Sequence, residues 1–168
     1  MPRSLKSRAL QLLAQRDQSR LELRRKLLRH ARAEAAGDED AAPAAAEQVD
    51  ALLDWLEANR FLSNERFVES RVHAREARFG NLRIKSELAQ HALALPADLE
   101  RALADSELER AAAVRARRFA QAPRDAAERA AQARFLLARG FSPELVHRLM
   151  RRLPRAADSG EGSTSEAG

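Results

Sequence analysis

The sequence predicts an all-α protein built from three tandem three-helix repeats that form an elongated, curved array. Three observations carry this expectation. The first is composition. Ala, Leu, Arg and Glu dominate, all good helix formers, while the β-branched residues are five Val, one Ile and one Thr with no alternating run. The second is a thin supply of core material. Hydrophobic residues make up 45% of the 168, but Ala supplies much of that, and there are six Phe, one Trp and no Tyr. Several shallow cores are easier to build from this than one deep one. The third is self-similarity. Shifted by 61, Leu23 falls on Ile84, Arg24 on Lys85, Leu27 on Leu88 and His30 on His91. Shifted by a further 48, Leu88 falls on Leu136, Ala92 on Gly140 and Leu93 on Phe141. Units recurring at such spacing bury part of their apolar face on a neighbour. The expected repeats are residues 1–60 (with an Ala-rich acidic insert at 32–48), 61–105 and 106–155, followed by a disordered tail at 156–168.

Taken in order, residues 4–15 place Leu5, Ala9, Leu12 and Leu13 on one helical face. Ser19-Arg-Leu-Glu22 has the form of a capping box and opens a second helix, with Leu23, Leu27, Leu28 and Ala31 inward and Arg20, Arg24, Arg25 and Arg29 mostly outward. Gly37 and Pro43 split the insert, with Asp40 as a cap and Pro43 in the first turn of the next helix. There Val49, Leu52, Leu53 and Leu56 give the clearest apolar stripe in the chain, and Trp55 lies beside it.

The stretch 61–91 reads as two helices joined by one turn. Ser63 is its cap, Phe67, Val68 and Val72 the apolar side of the first helix, and Gly80-Asn81 the turn. Ile84 and Leu88 share a face of the second helix. Arg66, Arg71, Arg75, Arg78, Arg83 and Lys85 lie between these apolar points. Residues 95–98 start a short helix ending near Asp105, with Leu99 and Leu103 buried. Ser106 caps another helix, with Leu108, Ala112 and Phe119 inward, and Pro123 ends it. A helix over 125–139 stops at Gly140. Ser142-Pro143-Glu144 restarts the chain, and Leu145, Leu149 and Leu153, flanked by Val146 and Met150, complete the last helix.

The formal charge is +5 with a sequence pI of about 10.8. Residues 3–29 hold nine basic and two acidic side chains. Such a balance suits a polyanion or an acidic protein surface. With no Cys, disulfides and Cys-ligated metal are excluded. No leader-like or membrane-length apolar run occurs, so a cytoplasmic protein is expected. No phosphate-binding Gly loop, H-E-x-x-H or G-x-S-x-G is present. Glu144 and His147 have the spacing of half a di-iron site but lack the second pair and further carboxylates. His30 and His91 sit at matched helix ends, where they suit capping better than ligation. The expectation is no enzyme, no metal, no cofactor and no small-molecule substrate. Arg24 and Lys85 follow the inward Leu23 and Ile84 and so turn about 100° away, onto an exposed flank. With Arg25, Arg75 and Arg139 they are the candidate contacts to a partner or to DNA.

Four stretches in order carry a resemblance: SRLELRRKL at 19–27, FLSNERF at 61–67, FGNLRIKSEL at 79–88 and RFLLARGF at 134–141. Together they are similar to the RecX regulatory proteins of bacteria, over residues 5–153. Arg71 stands where that family usually has an aromatic residue, and Asn81 where it has Pro. The resemblance implies tandem three-helix repeats. It also implies binding to the RecA protein and the RecA–DNA filament, with inhibition of recombinase, ATPase and coprotease activities, a role in regulating DNA repair, and some contact with DNA phosphate. The alternative from another class is a general basic helical nucleic-acid-binding protein. Against a helix-turn-helix reader, no short turn precedes a helix combining Asn, Gln and Arg for base contacts.

Overall fold

The computed structural model describes residues 4–34 and 41–154. Among these residues the chain is all-α, with no strand. Its eight helices are α1 (Leu5–Gln15), α2 (Arg20–Glu34), α3 (Ala41–Ala58), α4 (Asn64–Glu76), α5 (Asn81–Ala89), α6 (Ala97–Arg118), α7 (Ala126–Ala138) and α8 (Pro143–Arg152). The expected turn at Gly37, the cap at Asp40 and the tail lie outside the described residues. The chain forms two compact units, one of residues 1–72 with 87–94 and the other of 73–86 with 95–168.

In the first unit Ala9, Leu23, Leu27, Val49, Leu53, Leu56 and Leu62 form a closed cluster. Ser4 caps α1 by accepting the Ser7 amide, and Ser19 accepts the Glu22 amide at 3.1 Å, which is one half of the expected capping box. The other half is diverted. The Glu22 carboxylate accepts instead from Lys26 at 2.8 Å and from Arg16, so it ties the α1 end to α2. Leu52, expected inward, is only half-buried, and Leu53 carries the stripe. Trp55 is exposed on one side. Phe61 stacks on it at 5.7 Å, and the Lys6 ammonium lies 3.6 Å from the ring centre.

The second unit is centred on Ala111, Val114, Leu136, Phe141, Leu145, Val146, Leu149 and Met150, from α6, α7 and α8. Ser142 caps α8, with Pro143 in its first turn, as the sequence predicts, and Asp125, read as the first residue of its helix, caps α7. One expectation is overturned here. The two helices predicted to meet at Asp105 and Ser106 are the single helix α6. Ser106 caps nothing; its hydroxyl donates back to the Ala102 carbonyl at 3.0 Å. No breaker interrupts 97–118, and Leu103, Glu107, Ala111, Val114 and Arg115 are buried at helical spacing straight through the expected break.

The internal repeat is visible in hydrogen bonds. At the end of α3, Arg60 adopts φ +60, Arg60 N–H donates to Glu57 and Phe61 N–H to Leu56. After α5, Ala92 adopts φ +56, donating to Ala89, and Leu93 donates to Leu88. After α7, Gly140 adopts φ +85, donating to Leu137, and Phe141 donates to Leu136. All three are the same left-handed stop, with an apolar residue after it and a buried Leu before it. The N-termini recur as well. The Arg20 amide donates to the Asn64 side chain at 2.9 Å, and the Asn81 amide, 61 residues on, donates to Glu107 at 2.8 Å. Each satisfies a helix-end donor that would otherwise be orphaned.

Candidate functional site

The second unit contains a junction of two glycine turns. Gly80 N–H donates to the Arg139 carbonyl at 3.0 Å, and Leu82 N–H to that of Gly140 at 3.1 Å. A Cβ on Gly80 would sit 2.3 Å from Gly140 O and Phe141 N, and one on Gly140 would sit 2.4 Å from the Arg83 Cβ. Only glycine permits this approach on both sides, and Gly140 needs its positive φ besides. The sequence places a turn at Gly80-Asn81; the structure makes Asn81 the first residue of α5 and Gly80 the point of backbone contact.

Arg110 of α6 holds the same turn from the other side. Its guanidinium donates to the carbonyls of Glu76, Phe79 and Leu103, each at 3.0 Å, and to the Asn81 side chain. Burial lowers its pKa, against the raising effect of the Glu107 and Glu76 carboxylates. It stays charged at any working pH, so its five donors are a permanent clamp.

The junction collects cations around one ring. The guanidiniums of Arg75, Arg83 and Arg139 lie 5.5, 5.0 and 5.5 Å from the centre of Phe79, and that of Arg139 also lies 5.0 Å from Phe135. These are cation–π distances, which fix long side chains at little entropic cost to a later ligand. Arg75 and Arg139, both singled out by sequence, are thus brought together. Arg83 and Phe79 were not singled out. The signal for Phe79 is the RFG at 78–80 beside the RGF at 139–141, which read as two matched turns only once the chain is folded; Arg83, two residues into α5, carries no such signal.

The other three candidates stand elsewhere. Arg25 is exposed on α2. Arg24 donates from Nε and Nη2 to Asp50 of α3 at 2.6 and 2.8 Å, which raises its pKa and lowers that of Asp50. Lys85, its counterpart in α5, pairs with Glu100 of α6. Their recurrence therefore has a structural account: each ties the middle helix of a repeat to the next helix. His91 is no ligand. Ser19 O–H faces its Nδ1 at 2.8 Å, and its ring lies 4.7 Å from that of Phe67. Among the described residues no group of three or more His, Asp or Glu is placed to hold a metal, and no helix is long and apolar enough to cross a membrane.

Comparison with known proteins places these features in a family. The model of the RecX third three-helix domain matches residues 105–150. The Regulatory protein RecX of Ralstonia nicotianae is 45% identical over 162 residues, spanning 95% of this chain and 94% of that protein. That of Herbaspirillum seropedicae is 52% identical over 143 residues, 84% of this chain and 85% of its own. The more distant one of Pseudomonas putida, strain GB-1, keeps 40% identity over 89% and 90%. Likeness of this degree, end to end, goes with a fold whose three helix stops and two equivalent N-terminal caps recur in register: the chain belongs to the RecX family of regulatory proteins.

Proposed function

We propose that this protein is a non-enzymatic, cytoplasmic regulator of DNA repair. It binds the RecA protein and the RecA–DNA filament and restrains recombinase, ATPase and coprotease activities by occupancy. Family membership supports the class of function, and one observation carries the surface. Arg75, Arg83 and Arg139 are gathered on Phe79 by a junction that tolerates no side chain at two positions. A cationic cluster held this way meets an acidic protein surface or DNA phosphate without having to be ordered first. Arg25, exposed on the first unit, is a candidate contact of its own. Arg24 and Lys85 take part only if their carboxylate partners yield them. The repeats behind this surface have limits near 60 and 105, with α6 common to the second and third.

The test is ATP hydrolysis by RecA on single-stranded DNA. Adding the protein should suppress it. Arg75→Glu with Arg139→Glu should raise the half-inhibitory concentration at least about tenfold, or roughly 1.4 kcal/mol, with helicity and thermal midpoint retained. No suppression by the wild-type chain defeats the functional reading. Full suppression by the double variant removes the surface from it.

A further inference from the structure

The internal repeat provides seats for helix-ending turns, and among the described residues one seat and one turn are left over. In the second unit the Gly140 turn sits on Gly80 and Arg83 of α5. In the first, 61 residues earlier, the His91–Ala92 turn meets Ser19, which is wholly buried. A shift of 48 carries Gly80, Arg83 and Ile84 onto Glu128, Ala131 and Gln132 of α7. No described turn is seated there. The three line a groove of about 410 Å³ instead, faced by Phe119, Ala120 and Ala122 of the α6–α7 connection. The groove is braced from beneath. Gln132, buried where α5 has Ile84, accepts from Arg115 Nε at 2.7 Å, and Arg115 also donates to the Gln121 carbonyl, which fixes the far wall. The leftover turn is the one after α3. Its Phe61 follows Arg60 as Phe141 follows Gly140, yet Phe141 is 1% exposed and Phe61 47%. Phe61 stacks on Trp55, itself exposed, so two rings stand together at the surface.

We propose that the groove at the start of α7 seats the Arg60–Phe61 turn of a second copy of this chain, with Phe61 entering and Trp55 covering the rim. The fold already seats two turns of this kind on the equivalent residues of α2 and α5, so the occupant is one that the groove's counterparts accept. The chemistry matches as well. Ala120, Ala122 and Ala131 offer the rings an apolar wall, and Phe119 offers the tilted or offset partner that aromatic rings prefer. The Arg124–Glu128 pair of the groove meets Glu57, Arg60 and Glu65 beside the turn, so each charge has an opposite to face. A tandem array whose last unit has no capping repeat leaves such a seat open. Turn and groove are different surfaces, so the association is heterologous and copies add head to tail. The contact is small, which makes it transient and dependent on concentration. It needs neither RecA nor DNA, and it stands or falls apart from the regulatory reading.

Sedimentation of the full chain, with no RecA or DNA present, should show a weight-average mass that rises with concentration. Trp55 is the chain's one tryptophan, so its emission should move to shorter wavelength over the same range. Phe61→Asp removes the turn's ring, and Ala131→Glu, exposed in α7, blocks the groove; each alone should weaken association at least about tenfold. Mixed in equal amounts, the two variants should associate again and stop at dimers, because the first keeps its groove and the second keeps its turn. Leu137→Glu makes the same change in charge at an exposed apolar residue outside the groove and should shift association by less than about threefold. Should Phe61→Asp lower the thermal midpoint, Phe61→Gln takes its place in both measurements. A mass that stays constant up to the highest soluble concentration overturns the proposal. So does equal weakening by Leu137→Glu, or a mixture no more associated than its parts. A Trp55 shift that Ala131→Glu abolishes but dilution does not would place the turn in the groove of its own chain, and overturns it too.

Discussion

At the scale of single residues, the informative positions are those where a polar group is wholly or partly buried against a specific partner. His91 is one. Burial depresses its pKa first of all. The charges of Arg71, Arg25 and Arg16 push the same way, and Glu22 opposes them. The Ser19 hydroxyl, whose oxygen accepts the Glu22 amide, also lies 2.8 Å from the His91 Nδ1 and holds the ring in place. A histidine whose pKa is lower folded than unfolded takes up more protons when unfolded, so stability rises with pH through that range. Its contribution is whole above the unfolded value of about 6.5 and is lost as pH falls toward the folded one. The thermal midpoint should therefore drop as pH falls below about 6.5, and the drop should shrink in His91→Asn. An unchanged slope in that variant assigns the dependence to other groups. The apolar core makes a similarly local prediction. Leu53→Ala removes a wholly buried side chain and should cost about 2–5 kcal/mol, whereas Leu52→Ala, half-exposed, should cost well under that. Denaturant melts of the two variants rank them. Sequence periodicity marks both leucines as inward because they are neighbours on one broad stripe. Which of them the α1–α2 pair covers depends on packing.

At the scale of elements, helices and their stops were largely legible, because each is written in local chemistry. Ser19, Ser63 and Ser142 accept the amides expected of caps, Ser4 and Asp125, read as the first residues of their helices, are caps as well, and Gly140 ends α7 as read. The exception, Ser106, shows the limit. A serine followed by an acid resembles a cap wherever it stands, and only an uninterrupted buried face shows that the helix continues. Two of the three left-handed stops use Arg60 and Ala92 where glycine would be at ease, so the usual signal is absent there. Of the candidate cluster, Arg75 and Arg139 were legible in the sequence, and Arg83, Phe79 and the assembly were not. Arg75 and Arg139 are 64 residues apart in sequence and come together only through the backbone bonds of the two glycine turns. Those turns are the element to test. Gly80→Ala drives a methyl group into the backbone at 140–141, which cannot swing aside as a side chain would. We expect a loss of at least about 1–3 kcal/mol, with ATPase inhibition reduced. Trp55 lies in the first unit, so its fluorescence should be unaltered while far-UV ellipticity falls modestly. A change in Trp55 emission equal to the loss of helicity would mean that the damage is not confined to the junction.

At the scale of the whole molecule, the two compact units are not successive lengths of chain. The first takes residues 1–72 and returns for 87–94; the second takes 73–86 and everything after 94. Their order of synthesis is consequently unequal. Every residue of the first unit has been made once the chain reaches Ala94. The segment that carries Arg75, Phe79 and Arg83 is also finished by then, yet Arg139 and Gly140, which complete its surroundings, are made about 45 residues later. On a ribosome adding about 5–20 residues per second, that is an interval of seconds. During it the cationic segment exists without its site. A chain that terminates early in this interval can own a complete first unit and still lack Arg139 and the Gly80–Gly140 junction, so the Phe79 cluster is acquired late and all at once.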